Sequence, residues 1–181
     1  TQAAVGHRAG ARKIPEFLHW CEDAGVKVAT LYLLSSDNLS GRDSQELEDL
    51  FGIIAELARG LSETEGWRVK HVGSCEGLPD GLANALAEAE RVTADRTGLH
   101  VNLAVGYGGR SEITAAMRSV IAEHQAAGGT IETLAERLTP EMIGEHLWTR
   151  GQADPDLVIR TSGEQRLSDF MIWQSAHSEF Y

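Results

Sequence analysis

This chain predicts an α/β fold, a central and largely parallel β-sheet flanked by helices, and three observations point to it. Short apolar or β-branched runs alternate with helix-length stretches whose apolar residues recur at i, i+3, i+4 and i+7. Each run empties at its C-terminal end into a polar loop. The stretches between runs are long enough for the helical crossovers that parallel neighbours need. With 181 residues and 42% hydrophobic content, one globular domain over residues 1–181 with a sizeable core is expected. Ligands of such sheets bind outside the carboxyl ends of the strands. The polar loops after Leu34, Val105 and Ile159 are therefore expected to share a pocket.

The elements follow in order. Residues 6–10, Gly-His-Arg-Ala-Gly, open a helix with Ile14, Phe17, Leu18 and Cys21 on one face. Gly25 ends it, and Pro15, which lacks a helical donor, predicts that the regular helix begins or bends near that point. Residues 26–34 read as a strand, after which Ser35, Ser36, Asp37 and Asn38 turn the chain polar. A long helix from about Ser44 to Ser62 places Leu47, Leu50, Phe51, Ile54, Leu57 and Leu61 on one side. Residues 67–72 form a second strand, and an alanine-rich helix after Pro79 turns Leu82, Leu86, Ala89 and Thr93 inward before Gly98 closes it. Residues 99–105 form the third strand. Ser111 is expected to cap the next helix, with Ile113, Met117, Val120 and Ile121 inward until Gly128 and Gly129. Thr139 and Pro140 start another, a cap residue followed by proline at the first helical position. The unbroken run Leu157, Val158, Ile159 reads as a fourth strand buried on both faces.

Composition bounds the function. A net charge of −11, with 16 Lys and Arg against 27 Asp and Glu, argues against a nucleic-acid partner, which needs a basic face. A small anion needs only locally clustered arginines. No run of about 18 apolar residues is present to span a membrane and no signal peptide begins at Thr1, so a cytoplasmic protein is expected. Cys21 and Cys75 show no metal-type spacing and read as reduced and structural. No Gly-x-Gly-x-x-Gly follows the first strand and no Walker loop is present, so nucleotide cofactors have no support.

The loop after Ile159 carries the chemistry. Arg160 and Arg166 offer forked donors that match phosphate oxygens, Ser162 and Ser168 add hydroxyls, and Gly163 allows close backbone approach. Ser168 and Asp169 are candidates to cap a following helix whose first amides would face the same anion. The other reading of the residues is an arginine pair bonded to Glu164 and Asp156. Likewise, Ser35 to Asn38 serves either as a site or as an ordinary turn bonding its own backbone. His7 either donates to a phosphate or caps the helix. Gly108 and Gly109 permit a tight turn, with Arg110 as a structural ion-pair partner.

The wording Asp-Leu-Val-Ile-Arg-Thr-x-Gly-Glu-x-Arg-x-Ser-x-Phe, ending in Trp173 and Gln174 with Glu179 further on, closely resembles the signature of cis-prenyltransferases, the undecaprenyl diphosphate synthase family. The resemblance runs from Gly6 to Tyr181. It implies that Arg160, Arg166 and Ser168 hold the diphosphate of isopentenyl diphosphate and that Glu179 helps bind Mg2+. The tetrad Ser35 to Asn38 is similar to the family's Ser-Ser-Glu-Asn, with Asp37 for glutamate, Leu39 for tryptophan and Gly41 displacing Arg42. By that resemblance Ser35 and Asn38 act in catalysis, and Arg42 joins His7 of the Gly-His-x-x-Gly motif in binding substrate. Gly106 to Arg110 resembles the family's Asn-Tyr-Gly-Gly-Arg.

Several further expectations come with the resemblance. The enzyme would condense isopentenyl diphosphate with an allylic diphosphate to form a cis double bond. A hydrophobic tunnel walled by residues 28–34 and 47–61 would take the growing chain. A homodimer is implied through the later helices and residues 170–181, with possible peripheral membrane contact through the product. Leu33 stands where many long-chain relatives have a small residue. With Leu39, it resembles the short-chain Z-farnesyl diphosphate synthases of actinobacteria, which join geranyl diphosphate to one isopentenyl unit. Which way Leu33 points is open, because strand side chains alternate. The alternatives are a long-chain undecaprenyl or decaprenyl synthase, a relative that joins or cyclises short allylic units, and a non-catalytic subunit of a cis-prenyltransferase complex. The family also carries an Asp-Gly-Asn-x-Arg-Trp loop before the Gly-His motif and an arginine-containing segment at its end. Neither is in these 181 residues, which as written are not expected to catalyse.

Overall fold

Three parallel strands organise the first part of the chain: β1 (Val28–Ser35), β2 (Arg68–Val72) and β3 (His100–Tyr107), in the order β1-β3-β2. The computed structural model describes residues 2–41, 44–164 and 166–181. They divide between two compact units, Thr1–Tyr107 and Gly108–Tyr181. β3 lies in the middle of its sheet, and all of its residues after His100 are buried, as the apolar run requires.

The helices between residues 2 and 92 belong to the first unit. α1 (Gln2–Asp23) runs through Pro15, so the helix neither starts there nor stops there; it forgoes one backbone bond instead. It starts earlier than its motif suggested, which puts His7 within the helix and not at its first turn. Gly25, at φ 81°, ends it as expected, with the amides of Gly25 and Val26 bonding back to Glu22 and Cys21. Leu18 is buried, whereas Phe17 at the edge of the same face is exposed. α2 (Ser36–Gly41) is a short helix where an ordinary turn was one reading. α3 (Ser44–Glu63) and α4 (Asp80–Val92) pack on each other and on β2, and α3 also packs on α1. The expected inward residues of α4, including Thr93 just beyond it, are all buried. Thr93 Oγ1 accepts from the amide of Val69 at 2.9 Å and donates to the carbonyl of Ala89 at 2.8 Å, tying helix end to strand.

The core of this unit draws Leu18 from α1, Ala29 and Leu34 from β1, Leu50, Ile54 and Leu61 from α3, Leu82 and Leu86 from α4, and Val101 and Leu103 from β3. β1 is irregular at its end. Tyr32 pairs with Ala104 but Leu34 with Val105, so Leu33 is the extra residue of a bulge. In an unbroken strand Leu33 and Leu34 would point to opposite faces. Here Leu34 enters the core and Leu33 packs against the same cluster.

The second unit contains α5 (Gly109–Ala126), α6 (Ile131–Arg137) and α7 (Pro140–Gly144), then β4 (Leu157–Val158) and β5 (Glu179–Phe180). α5 begins before Ser111, with Gly108 as its N-cap, so Ser111 is not the cap. Its buried face is Glu112, Ala116 and Val120, while Ile113, Met117 and Ile121 are half-buried. The separation of charge from apolar residues misled the periodicity, because Glu112 is buried by partners. Its carboxylate accepts from the amide of Trp148 at 2.9 Å and from Gln174 Nε2 at 3.1 Å, and Gln174 Nε2 also donates to Thr149. α6 is held by a reciprocal pair of bonds between Thr130 and Thr133, and α7 has the Thr139 cap and Pro140 start that the sequence indicated.

The fourth strand departs from expectation. β4 pairs in parallel with β5, Leu157 opposite Glu179 and Val158 opposite Phe180, in a sheet of its own. Leu157 and Ile159 are each 51% exposed, so the run is not buried on both faces. No helix follows Ser168 and Asp169 either; residues 168–177 form successive turns. Among the described residues, no helix is long and apolar enough to cross a membrane.

Candidate active site

The β4–β5 ladder presents Arg160 at its end, where the Arg160 amide donates to the Tyr181 carbonyl at 2.8 Å. Its guanidinium then gathers the loop around itself. Nε donates to Ser162 Oγ at 2.9 Å, and Nη1 donates to both the Arg166 carbonyl and Ser168 Oγ at 2.7 Å. Nη2 bonds Glu164, whose other oxygen lies 2.9 Å from Arg166 Nη2. Arg160, Arg166 and Ser168 are thus brought together as the phosphate reading requires. The ion-pair reading is also realised, with Glu164 and not Asp156 as the carboxylate. Two guanidinium groups against one carboxylate leave a net positive loop, suited to a polyanion. Gly163, at φ 75°, supplies the left-handed turn that lets residues 160–168 close.

In the first unit, Ser35 is the N-cap of α2: its Oγ accepts from the Asn38 amide at 3.1 Å. Ser35 and Asn38 therefore sit together at the carboxyl end of β1. The same capacity to bond nearby backbone underlies a turn and a cap, so the sequence alone did not separate them. β3 ends beside them. Ser35 is in register with Tyr107, Tyr32 Oη donates to the Tyr107 carbonyl at 3.3 Å, and a Cβ on Gly106 would stand 3.6 Å from Leu39. Ile14, Leu31, Leu33, Leu39, Leu47 and Phe51 are partly buried against the core of this unit. His7 is half-buried in α1, and its Nδ1 is enclosed without a hydrogen-bond partner.

Arg42 lies outside the described residues. Glu179, in β5, is exposed, and among the described residues no group of three or more His, Cys, Asp or Glu could hold a metal ion. A magnesium site built wholly of protein does not fit them. One carboxylate fits the other common mode, in which the ion arrives on substrate phosphates and takes one or two protein oxygens. Arg110 is exposed at the start of α5, its Nε 4.0 Å from Asp169. A cavity lined by Glu141, Arg150, Asp154 and Trp173 contains none of the candidates. Sequence reasoning missed Asp169 as a partner of α5. Asp169 Oδ1 accepts from the Arg110 amide at 3.0 Å, a bond across 59 positions that no local pattern announces.

Comparison with known proteins bears on this arrangement. Residues 1–181 match the prenyltransferase family described as "Putative undecaprenyl diphosphate synthase". The chain is 57% identical to a (2Z,6E)-farnesyl diphosphate synthase of Thermobifida fusca, covering 97% of this chain and 68% of that protein. It is 54% identical to Isoprenyl transferase 1 of Streptomyces avermitilis, covering 98% and 69%. Among solved structures it resembles lavandulyl diphosphate synthase from Lavandula x intermedia in complex with dimethylallyl diphosphate. The TM-score is 0.89 at 30% identity, over 98% of this chain and 76% of that one.

Proposed function

The chain belongs to the undecaprenyl diphosphate synthase family of cis-prenyltransferases, and on that premise we propose that it performs one condensation, of geranyl diphosphate with isopentenyl diphosphate, to Z,E-farnesyl diphosphate. The general activity is cis-prenyl chain elongation, by an enzyme of the prenyltransferase class. The bond between the allylic carbon and the diphosphate oxygen breaks, and the diphosphate leaves. The double bond of isopentenyl diphosphate supplies the electron pair for the new carbon–carbon bond, and loss of a proton from the adjacent carbon sets the new double bond cis.

In this proposal Arg160, Arg166 and Ser168 hold the diphosphate of isopentenyl diphosphate, the phosphate oxygens replacing Glu164 on the two guanidinium groups. His7 and Arg42 bind the other diphosphate. Ser35 and Asn38 act at the reacting centre. Glu179 would be the residue to hold Mg2+, which when bound would supply positive charge against that of the leaving diphosphate. The protein would work in the cytoplasm as a homodimer, with its lipid product as the link to a membrane surface. The intact Arg160, Arg166 and Ser168 favour an active enzyme over a non-catalytic subunit.

The observation that supports the short-chain reading is the bulge at Leu33, which packs that side chain against the cluster containing Leu50 and Ile54 of α3. A branched side chain there closes space that a growing isoprenyl chain would need, because a dense interior holds no spare room. Full-length protein should therefore be given magnesium, labelled isopentenyl diphosphate and a geranyl or farnesyl primer, with the dephosphorylated products separated by chromatography. Wild type is expected to make chiefly Z,E-farnesyl diphosphate, and Leu33→Ala longer products. Mainly long-chain products from wild type would overturn the short-chain assignment in favour of an undecaprenyl or decaprenyl synthase.

A further inference from the structure

Three of the four residues from Ser168 to Met171 hold left-handed backbone without being glycine: Ser168 at φ 49°, Asp169 at φ 62° and Met171 at φ 47°. Such conformations persist where neighbouring contacts hold them, and they gather at functional sites. Asp169 supplies two of those contacts. Its carbonyl accepts from the Gly109 amide at 2.7 Å, and its Oδ1 accepts from the Arg110 amide at 3.0 Å. These are the first two amides of α5, donors that the helix itself leaves unbonded. The approach needs a glycine, since a Cβ on Gly109 would fall 2.9 Å from the Asp169 carbonyl oxygen and 2.8 Å from Ile172 Cγ1. α5 in turn is anchored by the buried Glu112, bonded to Trp148 and Gln174. One peptide away, Ser168 Oγ takes the hydrogen bond of Arg160.

We propose that Asp169 is a positioning residue for the diphosphate loop: by occupying the first amides of α5 it presets Ser168, and through it Arg160, in the geometry that receives isopentenyl diphosphate. The proposal rests on the assignment of Arg160, Arg166 and Ser168 to that diphosphate. A loop set in advance loses less conformational freedom on binding. Without the carboxylate, the Arg110 amide turns to water and the left-handed pair keeps only the backbone bond from the Gly109 amide, so binding bears more of the ordering cost. Bond making at the allylic carbon is not touched, which separates KM from kcat.

The test compares Asp169→Gly with Asp169→Asn in the full-length enzyme. Both tolerate positive φ, but only asparagine keeps an oxygen for the Arg110 amide. Asp169→Gly is expected to raise KM for isopentenyl diphosphate about tenfold. Its kcat and its KM for the allylic substrate should stay within about twofold of wild type. Asp169→Asn should restore KM for isopentenyl diphosphate. Unchanged KM in the glycine variant, a fall in kcat and melting temperature without a change in KM, or a glycine variant that does not fold would each make Asp169 a structural cap and overturn the proposal. An asparagine variant as impaired as the glycine variant would overturn it too, since charge and not the acceptor would then matter. Arg160→Ala measured alongside separates the two layers: if it also leaves KM unchanged, the diphosphate assignment itself fails.

Discussion

Arg160 carries more of its loop than Arg166 does. It bonds Ser162, Ser168, Glu164 and the Arg166 carbonyl, whereas the Arg166 side chain is 67% exposed and pairs with Glu164. In the full-length enzyme each alanine variant should lose a charge-assisted contact worth about 1.5–3 kcal/mol, or roughly 10- to 150-fold in affinity for isopentenyl diphosphate. Arg160→Ala should be the worse, because the loop loses its internal bonds as well. Lysine should rescue either one only in part, having no fork. Equal wild-type kinetics in both alanine variants would leave the ion pair with Glu164 as the sole role of these residues. A second prediction concerns His146, whose Nδ1 faces the Met142 carbonyl at 2.8 Å and whose Nε2 faces Glu123 at 2.5 Å. The carbonyl first, and then the carboxylate, hold its pKa above the usual 6.5. A raised pKa stabilises the fold fully below pH 6.5 and loses that contribution as pH rises through the raised value. The urea midpoint of wild type should therefore exceed that of His146→Gln most at low pH, and the gap should shrink as pH rises above 6.5. Burial acts oppositely on His71, lowering its pKa, so its contribution is present above 6.5 and is lost as pH falls through the lowered value. A pH-independent difference between wild type and His146→Gln would contradict the assignment.

At the scale of elements, the C-terminal ends of β2 and β3 interlock through glycine. Gly73 has φ 137°, and a Cβ there would fall 2.0 Å from the Val105 carbonyl oxygen, while the Ser74 amide donates to the Gly106 carbonyl at 3.0 Å. Gly73→Ala must move backbone, and is expected to cost roughly 2–4 kcal/mol. Gly77→Ala, also at positive φ (79°) but with nothing within 4 Å, should cost only about 1–2 kcal/mol. Urea titration of the pair gives the comparison, and equal losses would show that backbone conformation alone, without the close approach, sets the cost. The strands and long helices were legible because burial of one face imposes a period on the sequence: α3 keeps its expected bounds to within a position, and α4 buries its expected residues but ends at Val92, well short of Gly98. The short α2 was not, since Ser35 caps a helix with the same chemistry that makes a turn. The bulge at Leu33 leaves no pattern either, because the extra residue of a bulge is set by the partner strand.

For the whole molecule, the apolar residues left partly uncovered suggest assembly. Ile113, Met117 and Ile121 on α5 and Phe170, Ile172 and Trp173 are half-buried, and Phe180 is 57% exposed. A homodimer of the full-length protein through the later helices and residues 170–181 would cover such surface. Light scattering at micromolar concentration should give twice the monomer mass, and substituting Met117 and Ile121 by glutamate should halve it. A monomeric wild type would dismiss the dimer.

By itself the sequence determined the alternation of strands and helices, the apolar core that alternation implies, and the gathering of Arg160, Arg166 and Ser168 in one loop. Each depends on residue type and short-range spacing, and these are written locally. Only the tertiary structure decided that the apolar run at 157–159 pairs with β5 outside the three-stranded sheet, since a pattern of burial names no partner. It decided, too, that Glu164 lies across both arginines, that Glu112 is buried by Trp148 and Gln174, and that Asp169 closes α5 from far along the chain. Those contacts exist because folding brings distant backbone amides and carboxylates within hydrogen-bond reach, and unpaired polar groups are too costly to bury.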